Sequence, residues 1–120
     1  MQAKVDRLSA GRPVATADLV LIPCRPSIYD LEASHKTAES LKKAGGRRGA
    51  FILNAVPSRG TRAQEARDAL QEVLPVAPVE LHQLVAYSDA LNDGRSVEEL
   101  APHGKAAQEI RTLYEWLVNF

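Results

Sequence analysis

Gly104-Lys105 is the first place to look for phosphate chemistry. A phosphate-cradling loop needs Gly-x-x-x-x-Gly-Lys-Ser/Thr: its amides wrap the phosphates, the lysine reaches them, and the hydroxyl holds magnesium. Here Lys105 is followed by Ala106, and Glu99 stands where the first glycine belongs. The pair therefore reads as a helix start. His35, His82 and His103 lie far apart in sequence, with no His-x-x-x-His or Cys-x-x-Cys spacing for a metal. Cys24 would be reactive if a helix N-terminus lowered its pKa, and inert if it fills a buried site. Asp89, Asp93, Glu98 and Glu99 suit helix caps and pairing with Arg95 better than acid–base work. Arg47, Arg48, Arg59, Arg62 and Arg67 fall in two loops and one helix start. They fit either a phosphate-binding surface or a solvated face. The helix starts after Ser27 and Thr61 could each attract an anion.

These residues need a frame. Leu19 to Ile22 is a short unbroken apolar run, as in a strand covered on both faces, and Pro23 and Pro26 stop it. Ser27 with Asp30 then opens a helix from about Ile28 to Ala44, with Leu31, Ala38 and Leu41 as its apolar stripe and Gly45-Gly46 as its stop. Ala50 to Leu53 is a second strand. Thr61 with Gln64 reads as a capping box for a helix over Arg62 to Leu74, buried along Ala63, Ala66, Leu70 and Val73. Val76 to Leu81 is a weaker strand, where Pro78 argues for an edge or an irregular element. A short helix over Leu84 to Leu91 and a turn capped by Ser96 and Glu99 follow. The last helix runs from about Lys105 to Val118, with a seam of Ala106, Ile110, Leu113 and Leu117 flanked by Tyr114 and Trp116. Alternating strands and helices imply parallel pairing with right-handed crossovers: an α/β, three-layer parallel sheet with helices.

Three stretches carry a resemblance. Ala17-Asp18-Leu19-Val20-Leu21-Ile22-Pro23, with Pro26, Ser27 and Asp30, resembles the segment after the Walker B strand of ParA/MinD-type partition ATPases. Phe51-Ile52-Leu53-Asn54-Ala55-Val56-Pro57 continues it. Ala86-Tyr87-Ser88-Asp89-Ala90, Gly94 to Glu99, and Gly104-Lys105-Ala106-Ala107 with Glu109-Ile110 extend it to the C-terminal helix. The resemblance covers roughly residues 15 to 118. It implies the C-terminal half of a P-loop NTPase-like domain over residues 17–120, preceded by an N-terminal arm over residues 1–16. That arm reads as a loose segment or a short helical turn around Val5 and Leu8. In such ATPases the P-loop, the signature lysine and the magnesium aspartates lie upstream. Full-length relatives use ATP and Mg, whereas no cofactor and no catalytic residue is expected of this chain.

By motif position the resemblance places Asn54, with Val56 and Pro57 beside it, near the adenine. The alternative is a turn asparagine bonding its own backbone. It places Arg59 and Arg62 where relatives often carry a DNA-contacting arginine. Many relatives also have a basic residue just before the Ala-Tyr-x-Asp-Ala motif, where this chain has Leu84. The strand holding Leu19 to Ile22 lies beside the P-loop strand in that family. Its edge is therefore expected to be covered by residues 1–16, by a second copy in a homodimer or higher homo-oligomer, or by a partner protein. Three functions follow as expectations. One is a truncated relative of plasmid or chromosome segregation ATPases, without ATPase activity of its own. Another is an adaptor or regulatory module for a full-length partition ATPase. The third is a non-functional remnant or expressed fragment.

Composition narrows the classes. The 120 residues suggest one domain, and 15 basic against 15 acidic residues exert no global pull toward nucleic acid or anionic membrane. One cysteine excludes an intrachain disulfide framework and fits a reducing compartment. With no run approaching the ~20 apolar residues of a membrane span and no apolar signal core near Met1, a cytoplasmic protein without membrane association is expected.

Overall fold

The computed structural model describes residues 18–44 and 48–120. Two parallel strands, β1 (Val20–Cys24) and β2 (Gly49–Leu53), pair in register from Val20 with Gly49 to Cys24 with Leu53. Helix α1 (Ile28–Lys43) forms the crossover between them. Helices α2 (Arg62–Gln71), α3 (Val85–Asn92), α4 (Val97–Leu100) and α5 (Lys105–Val118) follow. The expected arm over residues 1–16 lies outside the described residues.

Strand β2 is the centre of the core, and all five of its residues are buried. Phe51 and Leu53 pack with Ile22 and Cys24 of β1, Ala38 of α1, and Ala66 and Leu70 of α2. Ile52, one position out of phase, packs instead with Ala77 and Leu113, beside Trp116 and Leu117 of α5. The period-two alternation of a strand thus sends neighbouring residues of β2 into different clusters. A third cluster joins Ala90 of α3, Val97 of α4, and Ala106 and Ala107 of α5.

The expected third strand is present only in pieces. Phe51 bridges Val76 and Val56 bridges His82, both in parallel. Phe51 N–H donates to the Pro75 carbonyl and Ala77 N–H to the Phe51 carbonyl; further on, Leu81 N–H donates to the Leu53 carbonyl. Between these anchors Pro78 offers no N–H, and the ladder breaks around it.

Strand β1 departs from the reading in two respects. Pro23 does not stop it, and Leu21 and Pro23 are exposed, so the strand is not covered on both faces by the described residues. Val20 N–H donates to the Arg48 carbonyl, and Asn54 N–H to the Cys24 carbonyl. The even-numbered residues of β1 therefore address β2, and Leu21 and Pro23 turn their polar groups to the other edge. A proline is tolerated there because its missing N–H falls outside the β1–β2 ladder.

Side-chain caps start two of the five helices, α1 and α4. Ser27 Oγ accepts from Asp30 N–H at 3.3 Å, while Asp30 Oδ2 accepts from Arg25 N–H at 3.1 Å. Ser96 and Glu99 form the full reciprocal box, at 3.1 and 2.9 Å. These hydrogen bonds from Ser96, its backbone N–H first, hold the Glu99 carboxyl below its ordinary pKa. Thr61 forms no cap: its hydroxyl donates to Glu65 Oε1 at 3.2 Å, so the expected capping box is absent. Among the described residues, no helix is long and apolar enough to cross a membrane.

Candidate functional site

The C-terminal ends of β1 and β2 open into adjacent loops, and most of the candidate residues stand there. Asn54 is half-buried just past β2, its N–H on the Cys24 carbonyl at 2.9 Å. Ala55 follows with φ of 51°, the only non-glycine residue in the left-handed region among those described. A β-carbon is strained in that conformation, and such strain persists only where surrounding structure enforces it. The enforcement is visible. Val56 is buried at 3% exposure and locked to the outer segment. Its N–H donates to the Leu81 carbonyl and its carbonyl accepts from Gln83 N–H, each at 3.0 Å. Pro57 is exposed. The four residues thus form a kinked, tied-down loop beneath which β1 ends.

Next to this loop, the N-terminal turns of α1 and α2 flank a cleft lined by Pro26, Ser27, Ile28, Tyr29 and Arg62. Ile28 and Tyr29 are 75% and 86% exposed, large apolar side chains on an otherwise polar helix face. Arg59 and Arg62 are both exposed at the start of α2.

The other arginines are not gathered with them. Arg48 precedes β2 and so stands at the opposite end of the strand. Its guanidinium donates to the Phe120 carbonyl at 2.7 Å and lies 5.1 Å from that ring's centroid. Arg67 turns inward from α2, donating to the Ala77 carbonyl at 2.9 Å and pairing with Glu80 Oε2 at 3.2 Å. Its side chain is only 13% exposed. Arg47 lies outside the described residues.

Cys24 is 1% exposed, and its Sγ donates to the Arg25 carbonyl at 3.3 Å. Burial pushes its thiol pKa up, against the Ser34 hydrogen bond, so α1 does not activate it. Among the described residues, no group of three His, Cys, Asp or Glu side chains is placed to hold a metal ion.

One polar constellation was not anticipated from the sequence. Glu109 of α5 is 7% exposed. Its Oε2 lies 2.6 Å from His82 Nδ1, and its Oε1 accepts from His82 N–H at 3.0 Å and from the Tyr87 hydroxyl at 2.9 Å. Burial, followed by this bond to Glu109, raises the Tyr87 hydroxyl above its ordinary pKa. The available signal was a carboxylate on the inner face of an amphipathic helix, in line with Ala106 and Leu113.

No protein-family model matches the chain. In sequence it is similar to the maintenance of carboxysome distribution protein A of Halothiobacillus neapolitanus. The two are 28% identical over 97 residues, covering 77% of this chain and 45% of that protein. In structure it is similar to the cell division ATPase MinD of Pyrococcus furiosus, with a TM-score of 0.75 at 23% identity. That match covers 88% of this chain and 44% of MinD. The α/β fold with its small parallel sheet is therefore similar to the matched part of MinD. The chain spans less than half the length of either protein.

Proposed function

We propose that residues 18–120 are the base-side and surface half of a ParA/MinD-type partition or positioning ATPase domain. In this reading the phosphates and magnesium are held by groups outside the present sequence. The observation that carries it is the loop Asn54–Pro57, strained at Ala55 and set beside the starts of α1 and α2. Ligands of open α/β sheets bind at such strand C-termini. The MinD fold and the carboxysome-distribution relative support a positioning role. The sequence has no phosphate-cradling loop, so base contacts alone would hold ATP more weakly than millimolar, and no hydrolysis by this chain alone is expected. Asn54 offers a donor and an acceptor to the base, with the exposed Pro57 beside it, while the buried Val56 anchors the loop from beneath.

Arg59 and Arg62 are the exposed cations that would meet DNA phosphates without reading sequence. Arg48 and Arg67 serve the fold instead, through Phe120, Ala77 and Glu80. Fluorescence anisotropy with a labelled duplex tests this. Binding should weaken steeply with salt, and a slope near −0.9 per phosphate contact predicts roughly −2 for two arginines per chain. It should vanish in the Arg59→Ala/Arg62→Ala double variant. Undiminished binding by that variant would remove the DNA role.

The outer edge of β1 favours a second reading, an adaptor. Among the described residues Leu21 has no ladder partner on that side and its side chain is exposed, while Pro23 limits pairing to the first half of the strand. A strand from a second copy, or from a partition ATPase carrying the P-loop, would fit that short edge. Sedimentation of the chain alone and with such a partner checks it. A strictly monomeric chain that also ignores the partner would eliminate the adaptor.

A further inference from the structure

The Asn54–Pro57 loop is held by the outer segment, so what holds that segment matters. Leu81 N–H points toward β2, onto the Leu53 carbonyl, and Gln83 N–H points toward the loop, onto the Val56 carbonyl. By the two-residue period, His82 N–H points the other way, to the sheet's outer side. A further strand would normally receive it. Glu109 receives it instead, and the same carboxylate takes the His82 ring and the Tyr87 hydroxyl. One buried side chain therefore closes the open edge of the segment and ties it to α3 and α5. Arg67 braces the segment from α2 through Ala77 and Glu80, and Glu80 Oε1 lies 4.0 Å from His82 Nε2.

From this geometry we infer that Glu109 is a positioning residue for the Asn54–Pro57 loop. It acts through His82, whose neighbours Leu81 and Gln83 bond Val56. The loop is thus pinned at both ends, Asn54 by its N–H on the Cys24 carbonyl and Val56 by Leu81 and Gln83, and Ala55 spans the two in its left-handed conformation. Glu109 touches none of the loop residues, and nothing about its place on α5 marks it as part of a nucleotide site. The inference deepens the base-side reading above and rests on it for its functional meaning. The mechanical coupling stands on the hydrogen bonds alone.

Amide hydrogen exchange of the full 120-residue chain, read by NMR, separates the two. Glu109→Gln keeps the shape and removes the charge. Losing a charge-assisted hydrogen bond of this kind should speed exchange of Val56, Leu81 and Gln83 by roughly 10- to 100-fold. Phe51 and Ala77, bonded at the other anchor of the same segment, should change by less than about threefold on this local-opening argument. Tyr87→Phe removes a single donor and should move the same amides by a smaller factor, which keeps the test open if Glu109→Gln folds poorly. Uniform acceleration of all amides, or acceleration confined to α5 with Val56 unmoved, would overturn the inference. Adenosine monophosphate is then titrated against wild type and Glu109→Gln at concentrations above the millimolar range, where weak base-only contact is read from the Asn54 side-chain amide. A shift in wild type that weakens in the variant supports both layers. The expected exchange pattern with no shift in wild type keeps the coupling and sinks the base-side reading.

Discussion

Replacing Arg67 by methionine separates an arginine that builds the fold from those available to a ligand. Methionine keeps much of the aliphatic stem, so the change removes chiefly the guanidinium. Two bonds go with it, to the Ala77 carbonyl at 2.9 Å and to Glu80 at 3.2 Å. Ala77 is fully buried, so water does not readily replace the lost donor. Glu80 is 27% exposed and partly rehydrates, with His82 still 4.0 Å away. A hydrogen bond to a charged group contributes about 1.5–3 kcal/mol, and this rehydration argues for about 2 kcal/mol lost overall. In a domain of this size that lowers Tm by roughly 8 °C. Urea melts followed by circular dichroism and by fluorescence of Trp116 give two probes of one transition. Arg62→Ala, at an exposed position, should stay within about 0.5 kcal/mol of wild type. If Arg67→Met also stays within about 0.5 kcal/mol at an unchanged m-value, its structural role is refuted and it rejoins the candidates for DNA contact.

Ala55→Gly should raise stability by about 0.5 kcal/mol, because relief of left-handed strain slightly exceeds the added entropy of the unfolded chain. A fall in the urea midpoint would contradict it. Gly49→Ala should cost about 1–3 kcal/mol in the same melts, since the added β-carbon would run into Leu41 Cδ2, itself 1% exposed. Tyr87 gives a pH signature. Its folded pKa is raised from the ordinary value of 10.0, so above pH 10.0 the unfolded chain gives up this proton while the folded one keeps it. Its contribution is therefore complete below that pH and is lost as pH rises further. Tyr87→Phe should flatten the alkaline fall in urea stability, and an unchanged slope would count against the Glu109 clasp.

Local signals carried much of the fold. The Ser96–Glu99 box, the Ser27 cap and the apolar seam of α5 are near-neighbour patterns, and α5 spans Lys105–Val118 as its periodicity implies. Proline was the main source of error. Pro23 looks like a strand stop until the direction of its missing N–H is known, and that depends on which side β2 lies. Thr61 has cap-forming chemistry, but its hydroxyl turns to Glu65 instead. The site was legible only in part. Asn54, Val56 and Pro57 do lie together at a strand end, and Arg59 and Arg62 stand near them. Arg48 and Arg67 look equivalent to those two in sequence, yet their partners are 72 and 10 residues away along the chain. Glu109 meets His82 across 27 residues, a contact that no spacing rule encodes.

In the proposed reading this chain carries the base side of a nucleotide site without the groups that grip phosphate. Titration calorimetry of the 120-residue chain with Mg·ATP tests it most directly. No saturable heat is expected into the millimolar range. Saturable binding at micromolar ATP would contradict it and would require a phosphate site within these residues or between two copies of the chain.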